Sequence, residues 1–200
     1  AFSDGWFRIQ KGSASMERLN AIMDEPVGMK EALHPIACEP LQHEIAFENV
    51  GFSYGEEPVL SGINFKIARG ETVALVGPSG SGKTTLAHLL ARFHDPTEGR
   101  VTMDGIDLRE LDVVSLRNQM GLVTQEALLF NDTVAANIAL GKPISEDLDS
   151  SQLRAVADAA NATEFIDRMD NGLESTIGDG GGKLSGGQRQ RLSIARALYR

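Results

Sequence analysis

The sequence predicts an α/β fold, with buried strands at its centre, an antiparallel β part beside them and a helical part beyond. Three observations predict it. EIAFENVGFSY (44–54) and GINFKI (62–67) alternate, through Ile45 and Phe47 and through Ile63, Phe65 and Ile67, as half-exposed antiparallel strands do. TVALVG (72–77) and GLVTQ (121–125) are short apolar runs that read as strands buried on both faces. Residues 133–170 are mostly helical in pattern and close on Asn171-Gly172.

The elements follow in order. Residues 1 to about 24 place Phe2, Trp6, Ile9, Met16, Leu19 and Met23 at loosely helical spacing, an amphipathic helix in need of a partner. Residues 24–44 hold Pro26, Pro35 and Pro40 without a sustained period, so they read as a linker with a boundary near residue 42. After the run at 72–77, Leu86, Leu89, Leu90 and Phe93 recur at helical spacing until Asp95-Pro96 ends the helix. Asp104-Gly105 within RVTMDGIDL is a hairpin signal. A last helix starts near Ser185 and runs through Leu192, Ile194, Ala195 and Leu198. A core strand is expected to follow it. Without that strand, residues 72–76 and 121–125 would present unpaired edges.

Composition narrows the class. The 200 residues are 42% hydrophobic and 24% charged, which excludes a wholly disordered or fibrous chain. A formal charge of −9 argues against a broad nucleic-acid-binding face. Cys38, the single cysteine, cannot form an internal disulfide and reads as a small apolar residue. No apolar run reaches the roughly 18 residues a membrane-spanning helix needs. His34, His43, His88 and His94 lack metal-ligand spacing, and the last two are placed on the surface or at the end of a helix. Glycine is in excess, 21 residues against the roughly 14 of average usage. Much of it falls in two clusters.

The first cluster is GPSGSGKT, residues 77–84, which fills the phosphate-loop pattern G-x-x-x-x-G-K-[ST] between a strand signal and a helix signal. Gly77, Gly80 and Gly82 let the backbone turn tightly, so that successive N–H groups of Gly77, Pro78, Ser79, Gly80, Ser81 and Gly82, proline excepted, can form an anion nest at a positive helix end. Lys83 is a mobile point charge for β- and γ-phosphate oxygens. The Thr84 hydroxyl is placed to ligate Mg²⁺, and Thr85 can help the α-phosphate.

The second cluster is LSGGQ, residues 184–188, followed by RQRLSIARAL. Ser185 can cap a helix, while Gly186 and Gly187 let a phosphate approach the backbone ahead of Gln188. Arg189, Arg191 and Arg196 read as a solvated helix face with ion pairs. Two helix starts suited to phosphate stand about 100 residues apart, and one ATP need not touch both in the same subunit.

Together these motifs resemble the nucleotide-binding domain of ATP-binding cassette (ABC) proteins, from about residue 44 to residue 200. The resemblance implies a P-loop NTPase core with an antiparallel β subdomain and an α-helical subdomain at about 126–184, the domain occupying 43–200 after a linker at 1–42. Tyr54 in FSYG resembles the aromatic that stacks on adenine. Gln125 resembles the Q-loop glutamine that reaches Mg²⁺ and the attacking water. LFNDTVAANI (129–138) resembles the start of the exporter helical subdomain. TIGDGGGKLSGGQRQR resembles the exporter segment before the signature, with Asp179 where a glutamate is often found. GSASMERLNAIMDEP resembles the segment joining a transmembrane domain to the cassette in lipid and multidrug half-transporters.

The function this resemblance implies is ATP hydrolysis, with ATP and Mg²⁺ bound and export of a lipid or drug-like substrate driven by head-to-tail dimerisation. Lys83 and Gln125 are the catalytic candidates, and Thr84 and Gln125 the metal ligands. The nucleotide is held by Tyr54, residues 77–85 and Gln125 of one cassette, and by Ser185, Gly186, Gly187 and Gln188 of a second, in a homodimer. The partners are that second domain and a transmembrane domain of the same polypeptide, at the cytoplasmic face of a membrane, without nucleic acid. The Asp-Glu strand, D-loop and switch histidine would lie beyond Arg200, so residues 1–200 alone are expected to be inactive. Two alternatives are a soluble ABC-type ATPase of DNA repair or chromosome maintenance, and a non-catalytic regulatory cassette.

Overall fold

The two alternating segments pair as their period predicts. In the computed structural model, which describes residues 32–141 and 149–199 with positions 13, 16–21, 23–24 and 29, they form β1 (Glu44–Ser53) and β2 (Pro58–Ala68). The pair is antiparallel, with Phe47 opposite Phe65 and Ser53 opposite Pro58. The Asp104-Gly105 signal makes the turn between β3 (Glu98–Met103) and β4 (Ile106–Asp107), and the sheet order is β2-β1-β3-β4. The amino-terminal helix expected over residues 1–24 lies largely outside the described residues; positions 13, 16–21 and 23 are helical.

One face of this sheet carries the first core. Phe47, Val50, Phe52, Leu60, Val101 and Met103 bury against Leu86 and Leu89 of α1 (Lys83–Leu90) and Leu116 of α2 (Val113–Asn118). Cys38 is buried there too, its Sγ 3.7 Å from Met103 Sδ. Burial of the thiol pushes its pKa up, with Glu39 and Asp104 adding to the shift. The Asp104 carboxylate ties the linker to the sheet. It accepts the backbone N–H groups of Gln42, His43 and Glu44 at 2.7–2.9 Å.

The second core belongs to the helical part. It gathers α3 (Val134–Ile138), α4 (Ser150–Ala159), α5 (Thr163–Asp167) and α6 (Gly186–Leu198) around Ile138, Leu153, Ile166, Ile177 and Leu192, all nearly inaccessible. Thr133 and Asp149 cap α3 and α4 through their side chains.

Three local expectations need correction. Residues 72–77 and 121–125 are not buried strands. They carry no ladder pairing to β1–β4 and stand exposed, Val76 at 93%. A parallel strand draws its hydrogen bonds from neighbours on both sides, and no described residue supplies them here. The helix after the phosphate loop ends at Leu90 rather than at Asp95. Arg92 turns left-handed (φ 49°), and its guanidinium, 1% exposed, bonds Asp95 Oδ1 at 3.1 Å and the Leu111 carbonyl at 2.9 Å. Phe93, read at helical spacing with Leu86, Leu89 and Leu90, therefore lies beyond the helix and is 42% exposed.

The third correction concerns the arginines after the second glycine cluster. Among the described residues, the hydrogen bonds seen for them run to carbonyls. Arg189 Nη1 donates to the Leu184 carbonyl, Arg191 Nη1 to that of Asn161, and Arg196 to those of Asn137 and Leu128. A guanidinium presents five N–H donors in a fixed fork. Such a fork can gather the carbonyls that end helices and loops.

Candidate functional site

The phosphate loop passes from the exposed run at 72–77 into α1. The N-cap of α1 is Gly82, which has no side chain to cap with, and its first turn holds no acidic residue. An uncapped helix start without a carboxylate beside it favours an anion. Gly82 is required twice over. Its φ is 83°, and a Cβ there would lie 2.5 Å from Leu60 Cδ2 of β2. The sheet thus fixes the point at which the loop becomes helix.

Lys83 folds back over the loop. Its Nζ donates to the carbonyls of Pro78 (2.6 Å) and Gly77 (2.9 Å) and to Ser81 Oγ (3.2 Å). The ammonium is held by a set of weak acceptors that a more strongly charged oxygen could replace.

A cavity of about 550 Å³ opens over this loop, lined by Ser79–Thr85, Tyr54, Val59 and Gln125. Three segments far apart in the chain converge on it. Tyr54 comes from the residue just past β1. Gln125 comes from the exposed run at 121–125. That run is held close to α6, since a Cβ on Gly121 would lie 2.6 Å from the Ala197 carbonyl oxygen. Among the described residues lining the cavity, Lys83 is the only ionised side chain. A chain of formal charge −9 therefore keeps one recess whose ionised group is cationic. Tyr54 is 59% exposed, and its hydroxyl lies 3.4 Å from Thr85 Oγ1.

The second glycine cluster is formed as a capping box. Ser185 Oγ accepts the Gln188 N–H at 3.3 Å, and Gln188 Oε1 accepts the Ser185 N–H at 2.8 Å. Ser185, Gly186 and Gly187 are exposed, and a Cβ on Gly187 would meet nothing within 4 Å. None of residues 185–188 lines the cavity over the phosphate loop. The structure therefore brings together Tyr54, the phosphate loop, Thr84, Thr85 and Gln125, and keeps the second cluster outward. Asp179 opens a single 3₁₀ turn, Asp179–Gly181, ahead of that cluster.

Two supporting groups carried no sequence signal that was read. Asn137 sits in α3 at 1% exposure, where its side chain holds the Phe130 N–H and C=O and accepts from Arg196. A lone asparagine inside VAANIAL was the available clue. His94 packs its ring against Tyr54.

The phosphate loop, the cavity above it and the flanking β and helical parts define the chain as a phosphate-loop nucleotide-binding domain. Residues 60–200 match the family described as ABC transporter. The chain belongs to that family. It is similar to the ATP-dependent lipid A-core flippase of Desulfotalea psychrophila, 48% identical over 190 residues, covering 95% of this chain and 33% of that protein. The flippase of the same name from Salmonella typhimurium is 49% identical over 195 residues, covering 96% and 33%. A solved bacterial Atm1-family ABC exporter with ATP bound superposes with a TM-score of 0.87 at 37% identity, over 97% of this chain and 34% of that one. The chain spans about a third of the length of these relatives.

Proposed function

We propose that the chain is the ATP-hydrolysing domain of a membrane exporter of lipid or lipid-like molecules. It would work at the cytoplasmic face, joined through residues 1–42 to a transmembrane domain of the same polypeptide. The domain spans 43–200, with a helical subdomain at about 126–184. The two separate apolar cores, one drawn from residues 38–116 and one from 129–199, support a β part and a helical part within the domain. The observation that carries the reading is the cavity shared by Tyr54, the phosphate loop and Gln125.

In this reading the Tyr54 ring stacks on adenine, and Gly77–Thr85 cradle the phosphates. The Lys83 ammonium leaves the loop carbonyls for the more strongly charged β- and γ-phosphate oxygens. Thr84 and Gln125 offer a hydroxyl and an amide oxygen to the same cavity, a hard-oxygen donor set that suits Mg²⁺. Bound there, Mg²⁺ would neutralise charge on the transferring phosphoryl group. The outward Ser185–Gln188 helix start closes over the γ-phosphate of a second copy, so each ATP is completed by two chains. Binding then closes the dimer and hydrolysis reopens it, and that motion drives export.

The test uses Lys83→Ala in the full-length protein. The variant is expected to stay folded and to lose ATP-dependent activity. Hydrolysis at the parental rate would refute the assignment.

A further inference from the structure

We propose that His94 is a positioning residue for the nucleotide base. It fixes the ring plane of Tyr54 and so sets affinity for the adenine end of the ligand without touching it. The proposal rests on the reading of Tyr54 as the base platform. Tyr54 lies one residue beyond β1, so no ladder pairing orients it. Its ring has two described aromatic neighbours. Phe52 meets it edge-on at 4.8 Å (89°), and His94 meets it edge-on at 5.3 Å (90°). Phe52 and His94 also touch each other, with centroids 5.4 Å apart. Two perpendicular neighbours and the Thr85 hydroxyl leave Tyr54 little freedom to rotate. A platform held in place before the ligand arrives avoids the cost of ordering it on binding.

His94 suits this role because its own support is rigid. It lies on the elbow that the buried Arg92 creates. Arg117 reinforces that elbow, donating through Nε to the Ala91 carbonyl (3.1 Å) and through Nη2 to the Arg92 carbonyl (2.6 Å). Three residues on, the Thr97 N–H donates to the Gly51 carbonyl at 2.9 Å, which ties the elbow back to β1 beside Phe52. His88, in the last turn of α1, stands with its ring centroid 6.3 Å from that of His94. Unlike Phe52, which is buried in the sheet core, His94 is only half-buried. It can therefore be replaced without opening that core. It does not line the cavity over the phosphate loop, so its influence must pass through Tyr54.

The experiment measures binding of ATP and of inorganic tripolyphosphate to the full-length protein by calorimetry. An edge-to-face ring pair is worth enough that His94→Leu should weaken ATP about three- to tenfold. Tripolyphosphate, which has no base, should bind unchanged; that also shows the fold is intact. His94→Phe, which keeps a ring, should restore ATP affinity. In a Tyr54→Ala background the His94→Leu effect should vanish. Equal weakening of both ligands, unaltered ATP binding, or an effect that persists without Tyr54 would overturn the proposal. If Tyr54→Ala alone leaves ATP binding intact, the base-platform reading itself fails and the proposal falls with it.

Discussion

Replacing Asn137 by alanine should cost the domain about 3.5–5 kcal/mol, because a single amide makes four hydrogen bonds in a place almost without water. Asn137 Oδ1 accepts the Phe130 N–H at 2.9 Å and Arg196 Nη2 at 3.2 Å. Nδ2 donates to the Phe130 and Thr133 carbonyls, each at 3.0 Å. The Thr133 carbonyl keeps its helical bond to the Asn137 N–H at 3.1 Å, so it loses little. Two neutral bonds to Phe130 at about 1 kcal/mol each and one charge-assisted bond at about 1.5–3 kcal/mol give the figure. Arg196→Ala should also destabilise, because it releases the carbonyl and Oδ1 of buried Asn137 as well as the Leu128 carbonyl, of which only the last lies on an exposed residue. The double variant should fall short of the sum, since both side chains hold the same segment. Urea unfolding of the isolated domain, followed by far-UV circular dichroism, measures all three. A loss below about 1 kcal/mol for Asn137→Ala, or strict additivity, would refute the reasoning. The segment they hold begins three residues after Gln125, so hydrolysis by the full-length variants should fall more than ATP affinity does.

Gly82→Ala should abolish nucleotide binding, whereas Gly80→Ala should only weaken it. Both glycines have left-handed φ, but a Cβ at Gly82 strikes Leu60 while one at Gly80 meets nothing within 4 Å; calorimetry with ATP checks the order, and a reversed order would sink it. Asp104→Asn should lower the melting temperature by about 2–4 °C at neutral pH, on the order of 1 kcal/mol for an exposed group. Backbone N–H bonds, from Gln42 first and then from Glu44 and His43, hold the Asp104 carboxyl below its ordinary pKa. The stabilisation is therefore complete above the unfolded carboxylate range and is lost as pH falls through the folded value. The gap between parent and variant should close in acid, and melts that stay equally far apart across the pH range would contradict this.

What could be read from the sequence depended on how local each device is. The hairpin turn at Asp104-Gly105 and the helix cap at Ser185 are set within a few residues, and both formed where they were read; the reciprocal bond from Gln188 was not read. The phosphate loop is likewise local, and its lysine lies over its own carbonyls. The helix end at Leu90 was misread because its cause is the pairing of Arg92 with Leu111, nineteen residues away. The arginines of α6 were misread for a similar reason, since nothing in QRQRLSIARAL announces that Arg196 meets Asn137. His94 was read by its place on the surface or at a helix end, while the structure packs its ring against Tyr54. Apolar runs such as 72–77 and 121–125 report that a strand would be buried, but not which strand pairs with it.

These two runs bear on what positions the site. Both are exposed and unpaired among the described residues, yet the phosphate loop is folded, Lys83 is bound and the cavity is open. Among the described residues, the antiparallel sheet supports the loop and Tyr54. Leu60 of β2 bears on Gly82, where the loop becomes helix. Leu86 and Leu89 anchor α1 in the core formed by β1 and β3. Tyr54 and the His94 elbow are held by Phe52 and by the Thr97–Gly51 bond to β1. Gln125 is the exception. Its run is located by the approach of Gly121 to α6, the helix whose other end carries Ser185. Tyr54 and the phosphate loop are thus supported by the sheet, while the run that carries Gln125 lies against the helix that presents the second glycine cluster. A displacement of α6 against the sheet would move Gln125 and Ser185 together and leave Tyr54 and Lys83 in place.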